Sequence, residues 1–188
     1  MTKQQLRQEY KEMRNAISFK DKMKWDDLLL IQFQQLSFDN IHLLFSYWPM
    51  ANMSEPNTHI ISSYLEHMYQ VQIAYPVGNL KTCEMKAIIV DDATEYTTNA
   101  VGILEPKTGK EADPKEIDIV LVPLLIYDEE GYRVGFGKGF YDRYLTKCRK
   151  DVIKIGVSYF DPVQKIKDTN HFDVPLNYCI TPQRIYEF

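Results

Sequence analysis

The sequence predicts one α/β domain over residues 1–188, built in three layers with a mainly parallel central sheet flanked by helices. Two observations carry that prediction. Short, dense apolar runs of strand length alternate with amphipathic stretches of helix length, which is the pattern of βαβ units. The composition is 45% hydrophobic and 26% charged with only 8 Gly and 9 Pro, enough apolar surface for a real core and no tract rich enough to act as a linker. No repeat or low-complexity segment divides the chain.

Leu6, Tyr10, Met13 and Ile17 recur at steps of four and three, predicting a first helix with Thr2 as its N-cap. Ser18 and Asp21 form a cap-like pair before a second amphipathic stretch through Met23, Trp25, Leu28, Leu29, Gln32 and Leu36, which runs out at Asp39-Asn40. Ile41 to Trp48, closed by Pro49, reads as a strand buried on both faces. Pro56 introduces a helix from Asn57 to Tyr69, followed by a strand from Val71 to Tyr75 that Pro76 stops. Glu84 to Val90 adds a strand, and the polar stretch Asp91 to Glu116 reads as a long surface loop. Ile117 to Val122 is the clearest central strand, with Val152 to Tyr159 and Tyr178 to Thr181 as two more.

Charge and cysteine usage narrow the function classes. A formal charge of -4 and a pI near 5.6 argue against a nucleic-acid-binding surface. Apolar runs are far short of the roughly 20 residues a spanning helix needs. The charged opening Met1 to Arg7 resembles no export signal. Cys83, Cys148 and Cys179 are widely spaced and lack a C-x-x-C pair, so neither a disulfide framework nor a zinc knuckle is expected. His59 and His67 stand eight apart rather than at ligand spacing, and no histidine is assigned a catalytic role. A cytoplasmic, monomeric protein with small-molecule ligands and neither nucleic-acid nor membrane partners is the expectation.

The segment Asp128 to Leu145 holds the chemistry. Gly135, Gly137 and Gly139 at alternate positions free the backbone so that successive N–H groups can converge on an anion, and Arg133 and Lys138 add full charges. The spacing is neither the dinucleotide fingerprint nor a Walker loop. Residue chemistry alone leaves two readings, a phosphate-binding loop or a flexible connection. Asp142 caps the following helix or holds a divalent ion, and Arg143 reads as a surface charge.

Pro123, Asp128, Gly131, Arg133, Gly135, Gly137, Gly139, Tyr141, Asp142, Arg143 and Leu145 together resemble the signature of the 5-formyltetrahydrofolate cyclo-ligase family. The likeness extends to Lys3, Leu6, Arg7 and Arg14, to Tyr47, Pro49, Glu55 and Thr58, to Pro76, to Gly102, Glu105 and Pro106, and to Asp173, Pro175 and Thr181. The resemblance implies ATP- and Mg2+-dependent closure of 5-formyltetrahydrofolate to 5,10-methenyltetrahydrofolate, with ADP and phosphate released, through a phosphorylated formyl (iminium phosphate) intermediate. It implies Arg133 and Lys138 as catalytic groups. Lys3, Arg7, Arg133, Val134, Gly135, Phe136, Gly137, Lys138, Gly139, Phe140 and Tyr141 would meet ATP. Glu55, Phe136, Gly137, Lys138, Gly139 and Phe140 would meet the folate, and Asp142 and Asp173 the metal. Against these stand plainer roles: exposed helix charges for the cations, loop solvation for Asp173 and a helix-terminal charge for Glu55. Phe140, where the family often has Tyr, and Pro56-Asn57 after Glu55 depart from the common pattern. A sugar-phosphate isomerase or transferase, and a non-enzymatic nucleotide- or folate-binding protein, are the competing readings.

Overall fold

The computed structural model describes residues 1–188. Helix α1 (Lys3–Asn15) starts at Thr2, whose hydroxyl accepts the Gln5 N–H while the Gln5 side chain accepts the Thr2 N–H, so two orphan donors of the first turn are satisfied reciprocally. Ser18 caps α2 (Phe19–Phe33) in the same position. That helix ends earlier than its apolar periodicity suggests. Gln35 and Leu36 donate to residues three back, Gln32 and Phe33, and this tighter winding closes the helix before Asp39.

Strands β1 (Leu43–Phe45), β2 (Gln72–Asn79), β7 (Ile119–Val122), β10 (Ile153–Val157) and β11 (Tyr178–Ile180) pair in parallel in the order β11-β10-β7-β1-β2. Antiparallel strands extend the edges: β3 (Glu84–Val90) and β6 (Lys110–Glu111) beyond β2, and β12 (Ile185–Glu187) beyond β11. Side-chain alternation gives each face its own core. Phe45, Val120 and Val122 pack with Leu6 of α1 and with Tyr144 and Leu145 of α4 (Phe140–Leu145). Leu44, Ile119, Leu121 and Ile155 pack with Leu29 and Phe33 of α2 and Ile61 and Leu65 of α3 (His59–Tyr69). The three predicted layers follow, each fully buried aliphatic contributing about 1.5–3 kcal/mol.

Four more expectations change. Strand β2 runs through Pro76 rather than stopping there. Opposite Pro76, the Ala87 carbonyl accepts from Ala112 and so points away from β2, while β1 makes its last bond to β2 at Ser46 N–H to Ala74 carbonyl. The missing N–H of Pro76 therefore falls where no strand asks for one. The stretch 91–116 carries a hairpin of β4 (Tyr96–Thr98) and β5 (Leu104–Pro106) plus β6. A ribbon of β8 (Ile126–Tyr127) and β9 (Arg133–Val134) intervenes between the central strand and the glycine segment. Finally, Met13 is exposed and Arg14 buried, because the core stripe of α1 centres on Leu6, Tyr10 and Arg14.

Strand β1 connects toward β2, and β7 connects the other way toward β10. Their carboxyl ends therefore part and leave a crevice at the switch point of the sheet, where open α/β folds bind ligands.

Candidate active site

A cleft of about 540 Å³ opens there, lined by Tyr47 beyond β1, Pro123 beyond β7 and Pro76 and Gly78 of β2. It gathers Lys3, Arg7, Glu55, Arg133, every residue from Gly135 to Tyr141, Asp142 and Asp173. Val134 is the exception. Its side chain is fully buried in the core and its carbonyl accepts the Leu125 N–H, so it stands behind the cleft wall.

Cations reach the cleft from two directions. In α1, 100° per residue places Lys3, Arg7 and Arg14 within about 40° of one another. Arg7 Nε donates to the Gly135 carbonyl at 2.9 Å. Lys3 Nζ holds both carboxylate oxygens of Asp173 at 2.6 and 2.5 Å. Arg133, 8% exposed, donates to Asp142 Oδ1 at 2.9 Å. Burial pulls the Arg133 guanidinium below its ordinary pKa, and the Asp142 charge opposes that pull. Lys138 is exposed on the loop.

Glycine matters at two positions of the loop. Gly137 (φ 92°) and Gly139 (φ 68°) adopt left-handed conformations, and a Cβ on Gly137 would stand 3.3 Å from the Arg7 guanidinium. Gly139 is the N-cap of α4 with no side-chain cap, so Asp142 does not cap that helix. Instead its Oδ1 accepts from Arg133 and from the Val174 N–H at 3.1 Å. The capping alternative drops out in favour of an ion pair.

Glu55 is 3% exposed, inside the cleft wall rather than at a solvated helix end. Oε2 accepts the Met50 N–H at 2.8 Å, and Oε1 is buried with no partner. Burial raises the Glu55 pKa, while the Met50 N–H and Arg14 lower it. A buried acceptor without a donor fits a ligand that brings N–H groups.

No group of three His, Cys, Asp or Glu side chains is placed to hold a metal. Asp142 and Asp173 share the cleft, each beside a cation, and Asp142 Oδ2 makes no hydrogen bond. That donor set fits Mg2+ only in the way Mg2+ usually binds, through one or two carboxylates together with substrate phosphates.

Sequence reasoning gave no role to Tyr47, Trp48, Gly78, Asn99 or Glu105, which also line the cleft. Glu105 accepts from the Gly78 N–H at 2.9 Å and from Asn99 at 3.0 Å, fastening the β4–β5 hairpin to β2. The switch-point rule, applied to the carboxyl ends of β1 and β7, could have found Tyr47 and Trp48, whereas Asn99 and Glu105 come from the β4–β5 hairpin and carried no such signal.

The model of the 5-formyltetrahydrofolate cyclo-ligase family matches residues 1–182. The chain belongs to this family. Curated cyclo-ligases match it in part: that of Mycoplasma genitalium is 36% identical over 74 residues, 39% of this chain and 45% of the relative. That of Haemophilus influenzae is 38% identical over 86 residues, 44% and 46% of the two chains. The chain thus spans about half the length of the curated relatives it matches. Solved structures cover more. The NMR structure of Aquifex aeolicus 5,10-methenyltetrahydrofolate synthetase superposes with a TM-score of 0.81 at 25% identity, covering 100% of this chain and 93% of that one. The 5,10-methenyltetrahydrofolate synthetase of Mycoplasma pneumoniae gives 0.73 at 25% identity over 97% and 99%.

Proposed function

We propose that this chain closes 5-formyltetrahydrofolate to 5,10-methenyltetrahydrofolate at the expense of ATP, releasing ADP and phosphate. One observation carries the reading beyond family membership. A buried carboxylate with a free acceptor, Glu55, opens into the same cleft as the Arg133 to Asp142 segment with its glycines and cations. All the groups invoked lie on one chain, so the reading needs no second subunit. No helix is long and apolar enough to cross a membrane.

A formamide oxygen is a poor leaving group, so ring closure needs it converted into a phosphate. The formyl oxygen attacks the γ-phosphorus as the bond to ADP breaks. N10 then adds to the activated carbon, the C–O bond breaks to release phosphate, and the N10 proton is lost. The protein supplies position and countercharge and no covalent nucleophile. In this reading Lys3 and Arg7 of α1 meet the phosphates from one side. The loop amides around Gly135, Gly137 and Gly139, with Arg133 and Lys138, meet them from the other. Phe136, Phe140 and Tyr141 flank the bound ligands, and Glu55 accepts from the pterin N–H groups. Asp142 and Asp173 would hold Mg2+, which neutralises the triphosphate when bound.

The test is incubation of the protein with 5-formyltetrahydrofolate, following the near-ultraviolet absorbance of the methenyl product. Product should form only with ATP and a divalent cation together. Equal product with excess EDTA and no nucleotide would contradict the proposal.

A further inference from the structure

Arg14 is a buried charge that the reading above leaves unused. It is 2% exposed, Nη1 donates to the Leu124 carbonyl at 3.0 Å, and Nε and Nη2 have no hydrogen-bond partner. Across from Nη2, at 3.9 Å, stands Oε1 of Glu55, the acceptor that also lacks a partner. Two opposite charges are thus buried face to face at a separation too long for a hydrogen bond. A buried pair tuned for stability would close this gap, because desolvating both ions is offset only by good geometry and satisfied donors. Held open, the pair leaves an acceptor available to something else.

The other groups facing Glu55 do not supply that countercharge. Lys22 of α2 is committed to Asp26 at 2.7 Å. Tyr47 and Tyr141 are held neutral, burial pushing both phenols well above their ordinary range. Burial by itself drives Glu55 toward its protonated form; the Met50 N–H opposes this most, the Arg14 charge next, and Lys22, already paired with Asp26, least. A protonated Glu55 would be a poor acceptor for ligand N–H groups.

We propose that Arg14, which does not itself line the cleft, is the positioning residue for Glu55: its buried charge keeps that carboxylate ionised and its Oε1 free to accept N–H groups from the pterin edge of the folate. The inference rests on Glu55 being the folate-binding carboxylate. Arg14 also links that site to the nucleotide side, since α1 carries Lys3 and Arg7 on the same face.

The experiment is calorimetric titration of the full chain with 5-formyltetrahydrofolate, without nucleotide, between about pH 6.5 and 9, on the wild type and Arg14→Gln, Arg14→Lys and Glu55→Gln. Each unit by which the Glu55 pKa exceeds the working pH cuts the ionised fraction about tenfold. Arg14→Gln should therefore bind about tenfold or more weakly at the acid end and recover toward wild type at the alkaline end. Arg14→Lys should fall between, and the wild type should stay flat. A pH-independent loss in Arg14→Gln, or no loss, would overturn the role of Arg14. Unchanged folate affinity in Glu55→Gln would instead remove Glu55 from the folate site, and this inference with it. Should Arg14→Gln fail to fold, the pH titration of the Glu55 carboxyl-carbon NMR signal in the wild type and in Arg14→Lys decides: a higher midpoint in the lysine variant supports the proposal, and an unchanged midpoint overturns it.

Discussion

Asp142 illustrates how a single side chain can carry both fold and chemistry. Its Oδ1 anchors the buried Arg133 guanidinium and the Val174 N–H, while Oδ2 makes no hydrogen bond within the protein. Asp142→Asn keeps an acceptor for both partners but removes the countercharge of the buried Arg133 guanidinium, a loss of about 1–3 kcal/mol given that Asp142 is partly exposed. In a chain of this length each kcal/mol lowers the melting temperature by about 2–4 °C. If Asp142 also holds Mg2+, the variant should need markedly more Mg2+ for half-maximal rate. A Mg2+ titration of initial rate separates the two roles, and an unchanged requirement would leave Asp142 as the counter-ion of Arg133 alone. At this scale the sequence disclosed Glu55 and the loop cations through family likeness, but not their pairings. Charge type cannot say that Lys3 meets Asp173 across 170 residues, nor that Arg14 points inward. A lone arginine between Met13 and Asn15 reads as solvated until the helix is docked.

Helices α1 and α2 and the parallel strands were legible because capping residues and aliphatic runs act locally. The short strands were not: β6 has two residues and β12 three, too few for any alternation to register, and they exist because β3 and β11 offer them an edge. Pro76 misled because a strand's tolerance of proline depends on where its neighbours end. Packing between elements makes a sharper prediction at Gly156 of β10. A Cβ there would stand 2.5 Å from Leu124 Cδ2 and 2.7 Å from Leu176 Cδ1, both on side chains buried in the α1 and α4 face. Gly156→Ala should cost about 1–3 kcal/mol by overpacking and should displace Leu124, whose carbonyl anchors Arg14. A thermal melt checks it, an unshifted transition meaning that the two leucines repack freely.

Across the whole molecule, the two chain connections that part at β1 and β7 create the crevice, and the segments that line it come from remote parts of the sequence. They include α1, the stretch after β1, the β4–β5 hairpin, the glycine loop and the segment around Asp173. The fold class was legible in advance, whereas the convergence of Glu55 with the cationic loop was expected only through family likeness, because it depends on strand order. In the proposed reaction this convergence brings the formyl oxygen to the γ-phosphate, so that oxygen must leave as part of the phosphate. The most direct measurement is turnover of 5-formyltetrahydrofolate labelled with 18O in the formyl group, followed by mass analysis of the products. One label in each released phosphate is the predicted result. Label found in water, with unlabelled phosphate, would contradict transfer to the formyl oxygen.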